Sequence, residues 1–167
     1  MSEHHQNRAR EIVQRILYVT IATVSNEGEP WNSPVYSVYD DHANFYWASS
    51  PQAQHSRNID DNGKVFLVIY DSTVPEGTGE GVYVQATAAA LDDPSEVAVA
   101  KRNMALRVGK QLGPEMDRLL EARMQCIYRA TPKRVWMNGF ENDENGSYVR
   151  DVRVEIPVAC LKGLVTW

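Results

Sequence analysis

Between Tyr18 and Ser49 the chain passes through three short β-prone runs with only turns between them, so these strands have to pair as a meander. Tyr18-Val19-Thr20-Ile21-Ala22-Thr23-Val24 is β-branched and alternating. Asn26-Glu27-Gly28-Glu29-Pro30 is a turn cluster. The second strand spans Trp31 to Tyr39, with Pro34 marking an edge or a bulge because proline removes a ladder donor. Asp40 to Asn44 turns the chain again, and Phe45-Tyr46-Trp47-Ala48-Ser49 is the third strand.

Around this meander the pattern is helical in only a few places. Ile12, Val13, Ile16 and Leu17 share one face of an opening helix that ends near Leu17. Pro51 to Asp60 reads as a short polar helix, with Ser50 as its cap, Pro51 at its first position and Asn62-Gly63 ending it. Lys64 to Tyr70 is almost wholly apolar, which predicts a strand buried on both faces. A Gly- and Pro-rich loop, Asp71 to Gly81, leads to a strand from Val82 to Leu91. Asp93-Pro94 opens a helix to about Val108, and Gly113-Pro114 opens another to about Met124. Their apolar positions, Val97, Ala100, Met104 and Val108, then Met116, Leu119, Leu120 and Met124, predict a pair packed on a barrel. A strand from Cys126 to Met137 contains Pro132, and the alternating tail from Tyr148 to Val158 adds one more. Many strands with few crossover helices predict a mainly β single domain over residues 1–167, an antiparallel barrel with flanking helices.

Charge narrows the partners. The chain has 22 acidic and 17 basic residues, net -5, which argues against a nucleic-acid partner. The polar opening Met1-Ser2-Glu3-His4-His5-Gln6 has no apolar leader, and no run approaches the roughly 20 apolar residues of a membrane helix. These readings predict a cytoplasmic protein with no membrane partner. The two cysteines, Cys126 and Cys160, form no C-x-x-C pair and no cluster with the four histidines, so no metal site is predicted and both thiols are read as buried.

Four segments could carry chemistry. At Ala48-Ser49-Ser50 a strand runs straight into a helix N-terminus, which gathers free backbone N–H groups, two hydroxyls and the positive end of a helix dipole. That suits a phosphate, with His55 and Arg57 within the next two turns, and an ordinary capped helix fits the same residues equally well. Trp31-Asn32-Ser33-Pro34-Val35, an irregular strand, could hydrogen-bond the edge of a heteroaromatic ring or be a plain bulge. Gly79-Glu80-Gly81 permits close backbone approach, although a strand follows and no dinucleotide fingerprint is present. Gln85 sits mid-strand and would need partners if buried. Three of the four tryptophans, Trp31, Trp47 and Trp136, fall on strands, as core, interface or ring-stacking residues. There is no HExxH, nucleophile elbow, P-loop or acid pair, so a cofactor would have to carry any reaction.

In this order, Phe45-Tyr46-Trp47-Ala48-Ser49-Ser50, His55-Ser56-Arg57-Asn58-Ile59, Lys64-Val65-Phe66-Leu67-Val68-Ile69 and Gly81-Val82-Tyr83-Val84-Gln85-Ala86-Thr87-Ala88 resemble the pyridoxamine 5'-phosphate oxidase-like FMN-binding split-barrel family, most closely over residues 10–91. The resemblance implies a six-stranded antiparallel split barrel acting as a homodimer, with FMN at the interface and a small-molecule substrate. By position, Ser33, Pro34 and Val35 would line the isoalloxazine. Ser49, Ser50 and His55 would hold the phosphate, with Arg57 and Asn58 beside them. Gly81 and Gln85 would approach the ring or ribityl chain, and Trp136 would close the site from the partner subunit. His55 stands where many relatives have lysine, which makes binding pH-sensitive.

Trp136 leads into Met137-Asn138-Gly139-Phe140-Glu141-Asn142-Asp143-Glu144, without the Arg-x-His pattern by which the oxidase grips the vitamin B6 phosphate, and Arg150 and Arg153 come later. The expectation is therefore an FMN-dependent oxidoreductase whose substrate is not pyridoxamine phosphate. A deazaflavin-binding split-barrel reductase and a flavin- or haem-binding protein without turnover are the rivals, the last left open by His4, His5, His42 and His55.

Overall fold

Residues 3–109 and 112–165 are described by a computed structural model; Met1 and Ser2 of the polar opening lie outside it. The chain opens with helix α1 (Glu3–Arg15), two residues shorter than expected. Strand β1 (Tyr18–Val24) follows as predicted. The predicted Trp31–Tyr39 strand is two: β2 (Pro30–Tyr36) pairs with β1, while β3 (Val38–Tyr39) pairs with β4 (Phe45–Ser49). Ser37 is the break. It is buried, and its N–H donates to the Leu17 carbonyl at 3.0 Å, which pins the chain where it leaves one neighbour for the other.

Helix α2 (Gln54–Asn62) begins three residues later than the sequence suggests. The Ser50 hydroxyl accepts from the Gln52 N–H, and the Ala53 N–H donates to the Ser50 carbonyl, so Ser50-Pro51 forms a turn before the helix. Ala53 is the N-cap and makes no side-chain bond. Gly63 caps the other end at φ +66°, a conformation that suits glycine. Strand β5 (Lys64–Tyr70) alternates instead of being buried on both faces: Val65, Leu67 and Ile69 point inward, while Phe66 and Tyr70 are exposed. Then come β6 (Gly81–Ala90), α3 (Pro94–Val108), α4 (Pro114–Glu121), β7 (Cys126–Asn142), β8 (Tyr148–Ile156) and a closing 3₁₀ turn (Val158–Leu161).

All strand pairs are antiparallel, and the ladder runs β2-β1-β5-β6-β7-β4-β3. Its ends, β2 and β3, are joined only through Ser37, so the barrel is split there and not closed by hydrogen bonds. β8 pairs outside this path with the far half of β7, from Val135 to Asn142. Eight strands thus stand where six were expected, because one strand divides and one is added outside the ladder.

The barrel interior holds Ile21, Trp47, Leu67, Val84 and Tyr128, with Ala9, Ile12 and Val13 of α1 packed on the same core. A second cluster joins Val38, Tyr46 and Ile127 to Ala100 and Met104 of α3. The helix pair therefore covers the outer face of β3, β4 and β7, although Val108 and Met124 stay exposed. Cys160 is buried, whereas Cys126 is only half-buried.

Candidate functional site

The split brings three chain segments together. β2 carries Ser33, β4 ends at Ser49, and the first turn of α2 carries His55. The imidazole lies between the two hydroxyls, its Nδ1 3.1 Å from Ser33 Oγ and its Nε2 2.8 Å from Ser49 Oγ. Trp31 Nε1 donates to Ser33 Oγ at 3.0 Å, fixing that serine from the other side. His55 is 7% exposed, and burial pushes its pKa below the ordinary value near 6.5. At neutral pH the group is an uncharged imidazole able to take up a proton if an anion arrives.

A cleft of about 410 Å³ opens beside it. Pro34, Val35, Ser49 and His55 line one end. Tyr18 and Tyr36 line the β1–β2 side, and Met104, Val108, Leu112 and Met116 form a wall from α3 and the start of α4. Of the sequence candidates, Ser33, Pro34, Val35, Ser49 and His55 are gathered here, with Ser50 next in the chain.

The other candidates lie elsewhere. Arg57 is exposed and bonded to the Gln52 carbonyl and Gln54 Oε1, tying it to the start of its own helix. Asn58 is buried between α2 and β1, donating to Thr23 Oγ1 at 3.0 Å and accepting from Gln54 Nε2 at 2.8 Å. The N–H of Gly81 is engaged by Asn138 Oδ1 at 2.6 Å. Gln85 is exposed and lines a separate hollow with Lys64, Phe66 and Lys133 on the outer sheet face. Trp136 also faces outward there, stacked on Phe66 with ring centroids 6.1 Å apart and covered by Arg134. Within one subunit, then, five expected residues converge and five do not.

Sequence reading missed Trp31 as the support for Ser33 and missed the α3–α4 wall entirely. The apolar positions of those helices were assigned to packing, and Met104 serves both purposes: it is buried in the second cluster and lines the cleft. Among the described residues no group of His, Cys, Asp and Glu could hold a metal, and no helix is long and apolar enough to cross a membrane.

The family described as pyridoxamine 5'-phosphate oxidase matches residues 6–139. No curated protein sequence matches the chain. Among solved structures, the haem storage protein HutZ of Vibrio cholerae is similar at 22% identity and TM-score 0.64, covering 75% of this chain and 89% of that one. A haem-binding protein of Mycobacterium smegmatis is similar at 18% identity and TM-score 0.69, covering 94% of this chain and 60% of that one. HupZ of Group A Streptococcus is similar at 20% identity and TM-score 0.57, covering 86% and 98%.

Proposed function

The chain belongs to the pyridoxamine 5'-phosphate oxidase family, and we propose that it is a flavin-binding member that seats the phosphate of FMN at Ser33, Ser49 and His55. The observation that carries this reading is the single imidazole held between two serine hydroxyls at the mouth of a cleft. The donor set fits a phosphate: both hydroxyls and an imidazole N–H can turn toward its oxygens, and protonation of His55 would add the charge that no neighbouring lysine or arginine supplies. Bound flavin would supply hydride or electron transfer to a small-molecule substrate. The chain's own task is then to anchor the phosphate, to orient the ring along Pro34 and Val35, and to shield it from water with the α3–α4 wall.

The homodimer belongs to the same proposal. Tyr18, Ala22, Phe66 and Tyr70 leave an apolar outer sheet face exposed in the single chain, and Trp136 and Gln85 border it. Pairing through that face would let Trp136 and Gln85 reach the partner's cleft, which they do not reach in their own subunit.

Haem binding is the second reading, favoured by the names of the similar structures. His55 speaks against it as an iron ligand, since both ring nitrogens are already hydrogen-bonded. His4 and His5 lie on α1 and His42 in the turn after β3, and none of them lines the cleft. An absorbance titration of the purified protein with FMN, repeated with a deazaflavin and with hemin, separates the readings. Perturbed flavin bands that vanish in a Ser49→Ala/His55→Ala variant support the proposal. A hemin Soret band without flavin binding overturns it.

A further inference from the structure

The cleft has a second end that the phosphate anchor does not use, and its chemistry is distinct. Met104, Val108, Leu112 and Met116 face Tyr18 and Tyr36 across it, and no Lys, Arg, Asp or Glu is among its described lining residues. Two polar atoms there are buried with no hydrogen-bond partner: the Tyr36 hydroxyl and Gln125 Oε1. Orphaned buried polar atoms are uncommon because each carries its full desolvation cost, so two lining one cleft point to a ligand that would satisfy them. The phenol of Tyr36 is kept protonated by burial, which makes it a hydrogen-bond donor. The amide oxygen of Gln125 can only accept. Methionine walls adapt to ring shapes of more than one outline.

We propose that this end of the cleft binds the uncharged ring of a carbonyl-bearing aromatic compound, with Tyr36 donating to the carbonyl oxygen and Gln125 accepting from any N–H or O–H on the ring. The inference names the substrate class for the flavin site and rests on that reading for its catalytic meaning, although the binding it describes does not require flavin. It agrees with the missing Arg-x-His pattern: a cleft end without cations has nothing to hold a phosphorylated or carboxylated substrate.

The test compares 2-acetylnaphthalene with 6-acetyl-2-naphthoate, the same ring without and with a negative charge, by equilibrium dialysis against the full chain with and without FMN. The neutral compound binds about tenfold or more tightly than the carboxylate, because the wall leaves a charge unpaired. Tyr36→Phe weakens the neutral compound about 5- to 10-fold, the worth of one hydrogen bond, with an unchanged or higher thermal midpoint since the hydroxyl has no partner to lose. Val108→Arg, at an exposed position near the end of α3 where a cation suits the helix dipole, shifts preference toward the carboxylate. Equal binding of the two compounds, or binding indifferent to both substitutions, overturns the proposal. FMN titration of the same samples keeps the two readings apart: flavin binding without ring preference sinks only this one, and ring preference without flavin binding sinks only the cofactor assignment.

Discussion

His55 Nε2 lies 2.8 Å from Ser49 Oγ, so the end of β4 and the first turn of α2 meet in one hydrogen bond. The bond has a pH signature. Burial lowers the His55 pKa from its ordinary value near 6.5. Between the lowered value and 6.5 the unfolded chain binds more protons than the folded one, so stability falls as pH drops through that window. His55→Asn removes the slope, and urea midpoints for the two proteins converge as pH falls from 7 toward the lowered value. A bound phosphate acts in the opposite direction. It favours the imidazolium, so FMN binding takes up a proton and its affinity rises from about pH 8 toward 6.5 in the parent but not in the variant.

Ser49→Ala and Ser50→Ala, neighbours in sequence, have different expected outcomes. Ser49 faces His55, whereas the Ser50 hydroxyl is used by the Gln52 N–H. Ser49→Ala weakens FMN by about 1.5–3 kcal/mol, the worth of a charge-assisted bond, and Ser50→Ala leaves affinity within twofold while lowering the thermal midpoint slightly. Equal effects on affinity would mean that the phosphate sits over the turn and not over the imidazole.

The difference between those two serines also marks what the sequence could and could not reveal. Periodicity found β1 and β4 to the residue, because alternation is local and each strand has one buried face. Ser50-Pro51 carried a strong helix-start signal, yet the chain spends that serine on a turn and starts the helix at Gln54 without a side-chain cap. The break at Ser37 was illegible because it depends on β3 finding β4, a pairing that no local pattern encodes. Lys64–Tyr70 looked doubly buried because Phe66 and Tyr70 are apolar, although both face outward in the single chain. In the cleft, Ser33, Ser49 and His55 were reached through family resemblance. Tyr36, Gln125 and Met116 were not, since nothing in their local sequence says that three distant elements will face one another.

Arg107 ties the first helix to the third. Its Nη2 donates to the carbonyls of Val13 at 3.1 Å and Ile16 at 2.6 Å, and its guanidinium lies 4.8 Å from the Tyr39 ring centroid. A cation at the last carbonyls of α1 meets the negative end of that helix. Arg107→Met strands those carbonyls and costs about 1–3 kcal/mol in urea unfolding. Arg107→Lys recovers only part, since a single ammonium cannot both fork to two carbonyls and stack on a ring. FMN affinity stays unchanged in both, which a titration checks.

Phe66 tests the dimer. It points out of the barrel from β5, opposite Ala22 of β1, and stacks on Trp136 of its own chain. Because it contributes nothing to the barrel interior, Phe66→Glu preserves the fold, and its circular dichroism and thermal midpoint stay near those of the parent. A carboxylate in the middle of an apolar contact between two copies has no partner and is costly to bury. The expected result is a parent protein that runs as a dimer in light scattering and a variant that runs as a monomer across the same concentrations. If Trp136 closes the partner's cleft, the monomer also loses FMN affinity even though Ser33, Ser49 and His55 are untouched. Loss of dimer with full FMN affinity would place the whole cofactor site within one subunit, and a monomeric parent would remove the interface from the proposal altogether.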